Sequence, residues 1–167
     1  MSDRTRAERS ATLVWGVKQS FCSYVKAMGG EIGADAGAVR EESGEFLFAR
    51  APDSEISFGE DGAPRGQLRF VGEVTFNAHG GMLKVFLADP ILELGASPPV
   101  MTLADSPARD RRDPVAKLDL AAAKLEGDEL VIPASLTWQG GQLLGDHYPA
   151  NTPIDPVRLR LGAPGVG

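Results

Sequence analysis

The sequence predicts a mainly β fold, an antiparallel β-sandwich with one N-terminal α-helix packed on it. One stretch near the start of the chain has a helical period, and the remainder is broken into short alternating segments. Glycine (20) and proline (12) recur at close intervals through the 167 residues, which favours strands and turns over long helices.

Residues 1–9 are polar and read as an arm, which leaves 10–167 as one domain long enough to bury a core. The helix is expected over residues 11–28, with Ser10 as N-cap and Gly29-Gly30 as the stop. Leu13, Val17, Phe21, Tyr24 and Met28 follow at spacings of three or four and share a face, with Tyr24 turned inward towards a groove. Glu45–Arg50 is a short aromatic strand. Gln67–Asn77 alternates, with Leu68, Phe70, Val74 and Phe76 on one side. Gly80-Gly81 then reverses the chain into Met82–Leu87 as a hairpin. Further strands are expected at Ile91–Leu94, Val100–Leu103, Ala116–Leu120, Glu129–Ile132, Ser135–Trp138 and Val157–Leu161. Ala121–Leu125 has room for one helical turn.

Charge and composition exclude several classes of function. Hydrophobic residues make up 43% and charged residues 24%, a globular balance. The net charge is -6 and no basic run exists, which argues against a nucleic-acid partner. No apolar stretch reaches the ~18 residues of a membrane span. The N-terminus lacks the apolar region and cleavage site of a secretory signal, so the chain as written is expected in the cytoplasm. Cys22 is the only cysteine, which rules out an internal disulfide, a CxxC redox pair and a cysteine zinc site. No nucleophile elbow, dinucleotide fingerprint or Walker loop occurs, and the chain is not expected to be an enzyme.

Scarce residue types narrow the search for a site. The tyrosines are Tyr24 and Tyr148, and the histidines are His79 and His147. Gly16, Ser20 and Tyr24 stand four apart, so on one helix they form a stripe of two small residues and a phenol. Such a stripe would leave a shelf for a flat ligand, although pattern alone favours Tyr24 as an ordinary half-buried packing aromatic. His79 shares the parity of Glu73, Thr75 and Asn77 and precedes Gly80-Gly81, the setting of an ordinary turn histidine. His147 and Tyr148 lie between Gly145-Asp146 and Pro149, a loop position with no chemistry of its own.

Three segments change that balance. Leu13-Val14-Trp15-Gly16-Val17-Lys18-Gln19-Ser20-Phe21-Cys22-Ser23-Tyr24 resembles the L-x-W-G-V-x-x-S-F-x-x-Y opening of the HtaA-type haem-binding domain of bacterial haem uptake. Phe70–Leu94, with His79-Gly80-Gly81 and Asp89-Pro90, is similar to the middle of that domain. His147-Tyr148-Pro149-Ala150-Asn151-Thr152-Pro153-Ile154-Asp155-Pro156-Val157 resembles its closing F-Y-x-x-G-T-x-x-D-P. The resemblance implies a β-sandwich whose helix tyrosine, here Tyr24, ligates ferric haem b, with His79 hydrogen-bonded to that tyrosine. It also implies a pocket near Tyr148, which the Ser20 shelf would border, and a role in haem capture, transfer or storage with a donor or acceptor protein. Family members are usually extracytoplasmic. His147 stands where the family has phenylalanine and Asn151 where it has glycine, so His147 offers a second ligand or a propionate contact. The competing expectation is a sandwich that binds another ligand or a protein through the same groove.

Overall fold

The computed structural model describes residues 12–51, 55–58, 64–96, 98–106, 108, 111–127, 129–144 and 148–160. The N-terminal arm, the expected cap Ser10 and His147 lie outside the described residues. So do the side chains of residues 55–58, 64, 65 and His79.

Thirteen antiparallel strands and two short α-helices are formed among the described residues. In chain order they are β1 (Thr12–Trp15), α1 (Gln19–Ala27), β2 (Glu31–Asp35), β3 (Ala38–Arg40), β4 (Phe46–Arg50), β5 (Glu55–Phe58), β6 (Pro64–Val71) and β7 (Glu73–Ala78). Then follow β8 (Leu83–Glu93), β9 (Val100–Ala104), β10 (Arg112–Leu118), β11 (Lys124–Glu126), β12 (Glu129–Leu136), α2 (Trp138–Leu143) and β13 (Pro153–Arg160). None of the described helices is long and apolar enough to cross a membrane.

The sheet is not a sandwich. The order β8-β9-β10-β12-β13-β1-β4-β6 closes on itself through a β6–β8 pairing, giving an eight-stranded barrel. β7 and β2 extend it at one side, and β5, β3 and β11 pair β6, β4 and β12. Alternating strands suit a sandwich and a barrel equally, so their pattern could not separate the two. What decides closure is a pair of irregularities. Gly72, at φ 147, separates β6 from β7, and a Cβ there would stand 2.6 Å from the Ala38 Cβ. Opposite it, Asp89 takes φ 50 and the β8–β9 register shifts between Ala88 and Ile91. The two positions are latched together: Asp89 N–H donates to the Gly72 carbonyl at 2.9 Å, and Gly72 N–H to Asp89 Oδ1 at 3.1 Å. β8 therefore runs on through Asp89-Pro90, with one half on β7 and the other on β6. The same logic joins Glu129–Ile132 to Ser135–Leu136 as one β12, whose register with β13 shifts around Pro133.

The expected helix over 11–28 is corrected as well. Residues 12–15 form β1, between β13 and β4 in the barrel wall, and only 19–27 are helical. Leu13, Val14 and Trp15 are fully buried. A short run buried on all sides has no period that tells strand from helix. The buried stripe of α1 is Phe21, Cys22 and Val25 rather than the expected face through Tyr24 and Met28. The barrel interior is filled by Leu13, Trp15, Phe46, Phe48, Leu68, Phe70, Met101 and Leu103, each contributing on the order of 2 kcal/mol of burial.

Candidate functional site

The helix α1 starts without a local cap. Lys18 occupies the N-cap position in an extended conformation and its side chain makes no capping hydrogen bond. The acceptor comes from the far end of the sequence: Gln19 N–H donates to Asp155 Oδ1 at 3.3 Å. Asp155 also accepts from Trp15 Nε1 at its carbonyl (3.1 Å), and its own N–H donates to the Val17 carbonyl at 3.2 Å. These bonds hold Val17 in the left-handed region at φ 62, a costly conformation for a β-branched residue. Gly16 leaves room for the arrangement, because a Cβ there would stand 2.2 Å from Asp155 Oδ2. The expected shelf of Gly16, Ser20 and Tyr24 on one helical stripe does not exist, since Gly16 precedes the helix and its space holds Asp155. Ser20 and Tyr24 remain one turn apart on α1, both exposed, Tyr24 at 37%.

Tyr24 thus faces outward rather than into the core. Beside it lies Tyr148, half-buried, whose ring meets Phe21 edge-on at 6.3 Å between centroids. Phe21 in turn meets Phe76 of β7 at 5.1 Å, so an aromatic ladder ties the tyrosine loop through α1 to the barrel. Lys18 Nζ sits 5.3 Å from the centre of the Tyr148 ring, within range of a cation–π contact. Burial pushes the Tyr148 phenol above its ordinary value, helped by the neighbouring Tyr24 and Cys22. Tyr148 therefore keeps its proton at neutral pH and offers an O–H donor.

The position of Tyr148 depends on a glycine pair that sequence reading passed over. Thr137 Oγ1 caps α2 by accepting from Gly140 N–H at 2.9 Å. The helix then lies so close to its neighbours that a Cβ at Gly140 would stand 2.2 Å from the Val115 carbonyl, and one at Gly141 2.1 Å from the Tyr148 carbonyl. The expected strand at Ser135–Trp138 consequently ends at Leu136, and Trp138 opens α2. The Gly-Gly pair in Trp138-Gln139-Gly140-Gly141 was the available signal.

The backbone of His79 opens a 3-10 turn after β7, in which Gly80 and Gly81 take positive φ. β2 pairs β7 with Glu31 opposite Asn77, the last pair of that ladder before the His79 turn. Gly30 packs there against the Asn77 carbonyl, 2.5 Å from where its Cβ would be. Tyr24 is one turn away, its carbonyl accepting from Met28 N–H at 3.0 Å. Met28 at the helix end and Met82 in the His79 turn are 47% and 90% exposed, so with Tyr24 this end shows three large apolar side chains to solvent. Ser20 and Tyr24 thus lie on α1, Tyr148 packs against Phe21 of that helix, and the His79 backbone stands in the turn after β7.

Cys22, beneath this surface, plays no part in it. Its thiol is pushed up to about 11 by burial, against the opposing pull of Arg40, so it stays a neutral packing group. Among the described residues no cluster of three His, Cys, Asp or Glu side chains forms that could hold a bare metal ion.

A phenol, a second protonated phenol, a cation and exposed methionines at one surface fit a flat, largely apolar and anionic ligand better than a small polar one. Comparison with known proteins bears on which one. No curated protein sequence matches the chain. Its fold is similar to the N-terminal domain of HtaA from Corynebacterium glutamicum, at 22% identity and TM-score 0.68, covering 92% of this chain and 98% of that one. The C-terminal domain of the same protein matches at 23% identity and TM-score 0.67, covering 90% and 94%. The haem-binding protein HtaB from that organism matches at 16% identity and TM-score 0.63, covering 91% and 93%. At these identities the likeness establishes the fold alone. The Htaa family model, however, spans residues 10–160, from the arm to the last strand of the barrel. The chain belongs to the HtaA family.

Proposed function

We propose that this protein binds ferric haem b and carries it between a donor and an acceptor protein, without catalysing a reaction of its own. The observation that carries this reading is the outward phenol of Tyr24 on α1, set beside the protonated phenol of Tyr148. The two tyrosines have distinct roles because their surroundings differ. Tyr148, half-buried, would donate a hydrogen bond, and Tyr24, at the exposed helix surface, would hold the iron through its phenol oxygen. Ferric haem supplies a Lewis-acidic iron that accepts a phenolate oxygen. His79, in the turn after β7, would support that oxygen as a hydrogen-bond donor, and Ser20, one helical turn before Tyr24, would hydrogen-bond the ligand's edge. His147, next to Tyr148 in sequence, would offer a propionate contact or a second ligand. Met28 and Met82 cover the macrocycle's apolar edge. An anionic oxygen ligand favours ferric over ferrous iron, which suits capture and transfer rather than oxygen carriage.

The test is titration of the protein with ferric haem, followed by its visible spectrum, for the unchanged chain and for Tyr24→Phe. A high-spin spectrum with a phenolate charge-transfer band that vanishes in Tyr24→Phe is the expected result. Unchanged spectrum and affinity in Tyr24→Phe would make Tyr24 a packing residue.

A further inference from the structure

We infer that Lys18 is the specificity-determining residue for the ligand's carboxylate groups, so that this site selects a tetrapyrrole with free acids over one whose acids are masked. This rests on the reading of the site as a haem site, and deepens it. Lys18 stands at the N-terminus of α1, in a chain whose net charge is -6. Its ammonium is held over the Tyr148 ring at 5.3 Å from the centroid, which aims it at the surface that Tyr24 and Tyr148 share. Among the described residues no carboxylate forms an ion pair with it, and the first turn of α1 contains no acidic residue. The carboxylate of Asp155, which caps the start of this helix, is engaged by the Gln19 N–H.

A cation already ordered against an aromatic ring and not neutralised gains more from an incoming carboxylate than one that must first leave an ion pair. Haem carries propionate carboxylates on one edge of an apolar macrocycle. If Tyr24 held the ring centre, Lys18, six residues earlier at the start of the same helix and so roughly 9 Å along its axis, would stand within reach of a carboxylate at the periphery. The helix's own positive end adds to the attraction.

The experiment compares ferric protoporphyrin IX with its dimethyl ester, in identical detergent, on the unchanged chain, Lys18→Met and Lys18→Arg. Methionine keeps the length and packing over Tyr148 while removing the charge. The inference expects Lys18→Met to weaken the free acid by about tenfold and leave the diester unchanged, and Lys18→Arg to restore the free acid. Equal weakening of both ligands would reduce Lys18 to a support for Tyr148, and no weakening of either would remove it from the site; each outcome overturns the inference. Tyr24→Phe separates this from the parent reading. If that variant loses haem while Lys18→Met does not, Lys18 alone is misassigned. If the unchanged chain binds neither compound, both readings fall.

Discussion

Asp155 on the last strand accepts the backbone N–H of Gln19 at the start of α1, at 3.3 Å, so the end of the chain caps the helix that bears Tyr24. The Asp-Pro of the closing segment and the Trp-Gly-Val of the opening one are therefore a single structural unit, joined further by Trp15 Nε1 and the Val17 carbonyl.

Breaking that unit should release the helix before it harms the barrel. Asp155→Ala removes the cap and the charge facing the helix's positive end, and is expected to cost about 1 kcal/mol. Gly16→Ala drives a methyl group into the same carboxylate and should cost more in the unchanged chain than in Asp155→Ala, because the clash partner is then absent. Urea unfolding of the two single variants and the double variant checks this; simple additivity would refute the coupling.

Gly141→Ala should act on Tyr148 at a distance from any ligand. The added methyl group meets the Tyr148 carbonyl, backbone that cannot rotate away, so a loss of about 1–3 kcal/mol in stability is expected. If Tyr148 is a donor to haem, the same variant weakens haem binding in parallel with Tyr148→Phe. Stability and affinity that both stay unchanged would show that α2 does not position the tyrosine.

His79→Ala is expected to weaken ferric haem retention while leaving the fold intact, since its turn follows β7, outside the barrel wall. Thermal unfolding and the haem dissociation rate, measured together, distinguish a lost hydrogen bond from a lost fold. A variant that melts early without ligand would assign His79 to structure.

Cys22 gives a pH dependence with a definite sign. Its thiol titrates at about 11 in the folded chain against 9.0 for the ordinary group, chiefly because burial disfavours the thiolate. Below pH 9 both folded and unfolded chains keep the proton and the contribution is constant. From pH 9 towards 11 the unfolded chain loses its proton first, so stability falls as pH rises. Cys22→Ala should remove that part of the alkaline loss, and native Cys22 should resist alkylation at pH 8. Rapid alkylation of the folded protein at that pH would mean the thiol is not held neutral.

Much of the β architecture was legible in residue order because inward and outward positions alternate along single strands. Leu68, Phe70, Val74 and Phe76 are all buried, as their parity implies; Phe46–Arg50, Val100–Leu103 and residues 157–160 fall on strands as expected, while Leu161 lies outside the described residues. The family, too, was readable in the Trp15-Gly16-Val17 and Tyr24 spacing, and the family model spans it. What residue order could not decide was anything settled by partners far away in the chain. Leu13–Trp15 became a strand because β4 and β13 stand on either side of it, and a buried apolar triplet has no period of its own. Closure into a barrel came from the contact between Gly72 and Asp89, which splits β8 between two partners. The site shows the same division. Tyr24, Tyr148 and Ser20 are candidates that scarcity, spacing and motif single out, whereas Lys18 and Gly141 acquire their meaning only from Tyr148, over a hundred residues from Lys18 and packed against α2. Local propensity reaches a few residues, while the hydrogen bonds and close approaches that build this surface join the two ends of the chain.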